Sequence, residues 1–250
     1  MKTVKNYMSS ILLVFVLLII WEIGARVVNM GFILPSPTDI IVKLWELKVV
    51  LFVEHLPATL GIILIGLLIS VCFGVGLAVW MSLSETVERT FYPLIISSQT
   101  IPIIALAPIF VLWFGYSIWS KVMVTVLITF FPITVNTYDG LKRASKDYKD
   151  LLLTMGANRK DIFFKLQVPA CSPYFFSGLK VAVTLSVIGA AIGEWIGSQA
   201  GLGYFSRRMM TQFDGAGVFA PIVLLSAVGI GLFLIVVIVE KNILKWRKFD

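Results

Sequence analysis

Charge is scarce in this chain: only 14% of its 250 residues are Asp, Glu, Lys or Arg, against roughly 25% in soluble domains. The hydrophobic share is 58% and the mean hydropathy +0.94, which excludes an ordinary soluble globular domain. His55 is the single histidine, and the two cysteines, Cys72 and Cys171, lie in or beside apolar runs. Without clustered His, Cys or carboxylate there is no expected metal site, and no Ser–His or Cys–His pair to act as nucleophile and base. No catalytic residue and no cofactor is therefore expected. His55 reads as a solvated surface residue and the cysteines as small buried hydrophobes. The dipeptide Gly-Lys never occurs, so the chain has no P-loop of its own. Alternating ten-residue segments are also missing, which excludes a membrane β-barrel. The net charge of +7 lacks the basic and aromatic face of a nucleic-acid binder; basic residues of membrane proteins gather in cytoplasmic loops instead.

What is present is a series of long charge-free runs. A helix needs about 20 mostly apolar residues to cross a bilayer, and six runs qualify, over about 8–27, 58–83, 91–114, 118–138, 174–197 and 217–240. The reading is an all-α membrane protein of one domain with six transmembrane helices. The first run begins like a secretory signal. Its charge-free stretch, 6–21, outlasts the ~7–15-residue core of such signals and meets no small-residue cleavage site, so it reads as an uncleaved span. With the N-terminus inside, Lys2, Lys5, Arg89, seven basic residues of one long loop, and Lys241, Lys245, Arg247 and Lys248 fall in the cytoplasm. Arg26, Lys43, Lys48, Lys121, Arg207 and Arg208 fall outside. That bias predicts both termini in the cytoplasm. Outside, Leu34-Pro35-Ser36-Pro37 enforces extended backbone. Thr38-Asp39 then caps a short interfacial helix with Ile40, Ile41, Leu44 and Trp45 on one face.

The long loop, 139–170, is the most informative segment. It holds Lys142, Arg143, Lys146, Lys149, Arg159, Lys160 and Lys165. A helix over 141–155 places Leu151, Leu152 and Met155 on one apolar face, and Gly156 supplies the turn that ends it. Asn158 caps a second short helix over 159–166, and Pro169 halts that helix before the membrane. A loop that only satisfied topology would not need an apolar face, so this elbow reads as a docking surface.

Within the spans, Pro93, Pro102 and Pro108 surround Ser97, Ser98, Gln99 and Thr100. Either this helix lines a path, with Gln99 and Thr100 beside it, or its kinks serve packing. Glu194 lies among Gly189, Gly193 and Gly197, a small face suited to close helix contact. It could line a translocation route, hold a structural hydrogen bond or snorkel to the outer interface. Lys180 reads as snorkelling at the inner interface.

The pattern Gly156, nine residues, Leu166, one residue, Val168-Pro169 resembles the cytoplasmic EAA loop of ABC importer permeases. Asp150-Leu151-Leu152 stands where that family has Glu-Ala-Ala, so only the acidic first position is kept. The resemblance extends in order along the chain. It takes in Leu34-Pro35-Ser36-Pro37, the run from Ile101-Pro102 to Ala107-Pro108, Leu112-Trp113-Phe114-Gly115, Phe131-Pro132-Ile133, Asn136-Thr137-Tyr138-Asp139-Gly140 and Gly201-Leu202-Gly203-Tyr204. These look like the branch serving nitrate, sulfonate, taurine and thiamine-precursor importers. The resemblance implies a type I permease fold in the plasma membrane of a bacterium or archaeon. It also implies a second copy of the chain, two separate ATPase subunits and an extracytoplasmic binding protein. The loop at Asp150, Leu151, Leu152, Gly156, Leu166, Val168 and Pro169 would couple to the ATPase. The stretches around Glu194 and Gly201–Phe205 look closer to pyrimidine or thiamine-precursor permeases than to sulfonate ones. The alternative is a stand-alone secondary transporter or channel, which would favour inverted repeats and paired intramembrane charges; neither is visible in the sequence.

Overall fold

The computed structural model describes residues 2–245, and every regular element among them is helical. In order they are α1 (Lys2–Val28), α2 (Pro37–Glu46), a π-helical turn (Val50–His55) running into α3 (Leu56–Leu83), α4 (Glu85–Ser98), α5 (Ile103–Phe114), α6 (Ile118–Lys142), α7 (Lys146–Thr154), α8 (Arg159–Ile162), a second π turn (Phe163–Gln167), α9 (Val168–Gly197), α10 (Leu202–Thr211) and α11 (Gly215–Ile243). Among the described residues five stretches are long and apolar enough to cross a bilayer: Ser10–Val28, Val50–Leu83, Ile118–Lys142, Arg159–Gly197 and Gly215–Ile243. The bent pair α4–α5 makes a sixth if counted as one span.

That pair corrects the expectation of a single helix over 91–114. α4 and α5 meet at 101°. Pro102 has no amide hydrogen and disfavours helix at Ile101. The amides of Gln99, Thr100 and Ile101 reach back only three residues, to the carbonyls of Ile96, Ser97 and Ser98. Pro93 and Pro108, by contrast, are carried inside α4 and α5.

Two other expectations shift by a few residues. α2 is capped by Ser36, not by Thr38-Asp39. The Ser36 hydroxyl accepts the Asp39 amide at 3.1 Å and the Asp39 carboxylate accepts the Ser36 amide at 3.4 Å, a reciprocal box that satisfies two terminal donors. Pro37 occupies the first helical position, where a missing amide is harmless. Pro169 does not halt a helix either. The amide of Val168 bonds the carbonyl of Phe163, and that of Leu56 bonds Leu51. Each π turn slips the ladder by one residue just before a proline, Pro169 or Pro57, which has no amide to give and crowds the turn before it.

Contacts gather in two compact units where the sequence reading has one domain: Met1–Thr59 with Gln199–Leu225, and Leu60–Ser198 with Ser226–Asp250. In the first unit, Glu22 pairs with Arg26 at 2.6 Å and accepts the Thr38 amide at 3.1 Å. Lys43 pairs with Asp214 at 2.9 Å. His55 is buried, contrary to the solvated reading. Its Nδ1 accepts the Gly201 amide at 3.1 Å, and Thr59 Oγ1 accepts the Leu202 amide at 2.8 Å. The π turn and the start of α3 thereby satisfy donors at the start of α10, which otherwise lack partners.

In the second unit, α6 and α9 run antiparallel and form the most extensive helix pair. A β-carbon on Gly189 would lie 2.9 Å from Cα of Thr125, and one on Gly193 2.9 Å from Cα of Lys121. On Gly178 it would meet the Pro132 carbonyl oxygen at 2.5 Å, and on Gly197 the Val111 side chain at 2.7 Å. Gly189 and Gly193, with Gly178, thus form a seam on which the backbones of α6 and α9 touch, the usual device for joining helices in lipid, whereas Gly197 faces a side chain of α5. Near the other end of α6, Tyr138 packs with Ala78, Met81 and Ile95, and Lys142 pairs with Glu88 at 2.6 Å.

Candidate functional site

The elbow between α6 and α9 is built from local rules. α7 ends in a two-bond cap: the Gly156 amide bonds the Leu153 carbonyl at 3.0 Å and the Ala157 amide bonds Leu152 at 2.9 Å. This closure requires a left-handed residue, and Gly156 supplies it with φ +83°. Asn158 then caps α8, its side chain accepting the Asp161 amide at 2.9 Å while the Asp161 carboxylate accepts the Asn158 amide. The turn leaves an apolar surface in the open. Tyr148, Leu151, Leu153 and Met155 are exposed, Met155 to 74%, and Leu152 is half-buried. Asp150, Leu151, Leu152 and Gly156 therefore sit together at the tip. Leu166, Val168 and Pro169 lie in the π turn and first turn of α9, at the base. Ile162 is buried between them.

The second feature is a cleft of 410 Å³ beside the α4–α5 break, lined by Gln99, Ile103, Phe131, Asn136, Val181 and Leu185 among others. Gln99 reaches it. Thr100 is exposed at the break and its hydroxyl donates to the Ser97 carbonyl at 2.7 Å. Glu194 is elsewhere: it is fully buried, level with the Gly193–Lys121 contact of the seam. Lys121 and Glu194 act on each other electrostatically. Lys121, expected in an outer loop, is buried in the first turn of α6 and donates to the carbonyls of Tyr116 at 2.7 Å and Ser117 at 2.9 Å. Lys180 does not snorkel; it pairs with Glu240 of α11 at 2.9 Å. Sequence reasoning missed the pairing of Lys180 and the burial of His55 because Glu240 and Gly201 are supplied by tertiary packing, and it missed the local carbonyl partners of Lys121 because they depend on how the chain enters α6. Asn136 donates its amide nitrogen to the Pro132 carbonyl at 2.8 Å and faces the cleft.

The broken membrane helix, the glycine seam and the exposed apolar elbow all lie within one matched stretch of the chain. Residues 70–245 fit the model of the binding-protein-dependent transport system inner membrane component. The chain belongs to that family. It is the permease of an ABC importer, a multi-pass protein of the plasma membrane, and so a transporter subunit whose family works with an ATPase and a substrate-binding protein. It is similar to a formylaminopyrimidine transport permease of Halalkalibacterium halodurans, at 56% identity over 248 residues and 99% of both chains. The riboflavin transport system permease of Chloroflexus aurantiacus is 29% identical over 233 residues, 92% of this chain and 87% of that one. The taurine transport system permease of Escherichia coli is 23% identical over 194 residues, 78% and 70% of the two chains. Counted as one span, the bent α4–α5 pair is the third of this permease.

Proposed function

We propose that this permease, as a single six-span domain paired with a second copy of itself, forms the import path for a formylaminopyrimidine-type thiamine precursor. The observation that carries the substrate is the 56% identity along the full length to a formylaminopyrimidine transport permease. An external binding protein delivers the solute, and two separate ATPase subunits supply the work. Both termini and the elbow lie in the cytoplasm. The tip at Asp150, Leu151, Leu152 and Gly156 seats in a groove of the ATPase, while Leu166, Val168 and Pro169 fix the elbow to α9. An exposed apolar tip supports this seating, since an isolated soluble loop gains nothing from displaying such a surface. Closing of the ATPase dimer on ATP draws the two elbows together and opens the path outward; hydrolysis resets it. Gln99 and Thr100 lie on the path at the helix break. Glu194 holds the α6–α9 seam beside Lys121.

The test is uptake by the complete importer in sealed vesicles. Labelled formylaminopyrimidine should enter only with ATP, the ATPase subunits and the loaded binding protein. Import of taurine in its place overturns the substrate, and import driven by an ion gradient without the ATPase overturns the mechanism.

A further inference from the structure

The cleft beside the α4–α5 break has the chemistry to tell solutes apart. Val181 and Leu185 lie midway along α9, so the cleft sits at mid-depth. Irregular backbone is tolerated there only when buried in protein or lining a wet cavity. The break itself is exposed at Gln99, Thr100, Ile101 and Pro102, so it requires such a cavity. The lining residues include two amides, Gln99 and Asn136, and not one ionisable side chain. Asn136 has committed its nitrogen to the Pro132 carbonyl, which leaves its amide oxygen as an acceptor. The Gln99 side chain makes no hydrogen bond among the described residues, so it offers both a donor and an acceptor. Phe131, Ile103 and Leu185 form apolar walls around them. The volume of 410 Å³ falls within the roughly 300–1,000 Å³ of small-molecule sites.

Charge begins one helical turn further toward the cytoplasm. Asn136 is also a wall of a second cleft, of 460 Å³, lined by Asp139, Lys142, Arg143 and Tyr174. There the Arg143 Nε donates to the Tyr174 hydroxyl at 2.9 Å. The two clefts therefore share one residue, apolar with amides above it and ionic below.

The geometry points to a selectivity site in which Gln99 and Asn136 hydrogen-bond the edge of an uncharged, planar nitrogen heterocycle while Phe131 and the aliphatic walls cover its faces. This rests on the importer reading given above and adds the residues and the basis of choice. A sulfonate or other anion at this depth would find no counter-charge, and an unpaired charge inside a membrane protein is costly. A ring with amide-like donors and acceptors loses water and regains hydrogen bonds. Asn136 then passes it to the charged vestibule, where water and ionic side chains favour release.

The experiment uses the complete importer with its ATPase and binding protein in vesicles. It measures uptake of labelled formylaminopyrimidine together with ATP hydrolysis stimulated by the loaded binding protein. Gln99→Leu and Asn136→Leu should each raise the ATP hydrolysed per solute imported by about fivefold, the loss of one net hydrogen bond, while stimulated hydrolysis persists. Asn136 packs on Gly178, so its replacement can disturb folding. Gln99 is exposed and its side chain makes no hydrogen bond among the described residues, so Gln99→Leu alone decides. An unchanged ratio in Gln99→Leu overturns the site. Wild-type uptake reads the proposed substrate and the variant-to-wild-type ratio reads the site, so the two failures are separate.

Discussion

At the scale of single residues, Gly156 and Asp214 make distinct demands. Gly156 holds φ +83° at an exposed turn with open space around it, so backbone conformation alone restricts what can replace it. A β-branched side chain there costs about 1–2 kcal/mol, whereas Asn tolerates the conformation. Gly156→Val should reach the membrane in normal amount yet lose most ATP-driven uptake, and Gly156→Asn should keep more of it; equal uptake by the two variants would refute a coupling role for the turn. Asp214 works on charge. Burial pushes its carboxyl up, but the Gly217 amide at 2.8 Å and the Lys43 ammonium outweigh that and hold it below its ordinary value of 3.8. The hydrogen bond from Lys43 to Asp214 is the main reason that the lysine titrates above 10.5. The carboxylate's contribution is therefore whole above pH 3.8 and lost as the pH falls through its lower folded value. The lysine's is whole below 10.5 and lost as the pH rises through its higher folded value. Asp214→Asn keeps the cap on α11 and removes the ion pair. It should lower stability at neutral pH by about 0.5–1 kcal/mol, and thermal unfolding should show the gap to wild type closing as the pH is taken below 3.8.

At the scale of elements, the seam between α6 and α9 is set by glycine. A methyl at Gly193 meets backbone at Lys121, not the far end of a pliable side chain, so the helices must separate. Gly193→Ala should destabilise by about 1–3 kcal/mol, as overpacking of a tight contact does, and lower the unfolding temperature in detergent; an unchanged temperature would mean that the seam is looser than described. That seam was readable in the sequence because its glycines recur every four residues and helices repeat every 3.6. The capped turn at Gly156 was readable for the same local reason. The helix break was not. Three prolines marked the segment, and which one broke it depended on whether the turn before each could reach back along the chain. Nor was the π turn at Phe163–Gln167 read from the sequence, since a proline more often ends a helix than slips its ladder by one hydrogen bond. His55 looked solvated because Gly201, whose amide it accepts, lies 146 residues further along.

At the scale of the whole molecule, orientation in the membrane decides whether the elbow can meet an engine at all. With Cys72 and Cys171 replaced, a lone cysteine at Met155 should react with a membrane-impermeant maleimide only after the cytoplasmic face is exposed. Labelling of intact cells at that position would remove the ATPase from the scheme. The family was legible from the order and spacing of short motifs along nearly the whole chain, whereas the ion pair Lys180–Glu240 and the burial of Lys121 needed coordinates. The glycine seam has one more mechanical consequence. α6 and α9 are the two helices that flank the elbow, and they are zipped backbone to backbone over most of their length, so they cannot bend independently. At 30 residues and 1.5 Å per residue, α9 is roughly 45 Å long, and a tilt of about 5° at its foot displaces its head by about 4 Å. The pair is a lever arm, which turns a small rotation at the elbow into a displacement at the far side of the bilayer.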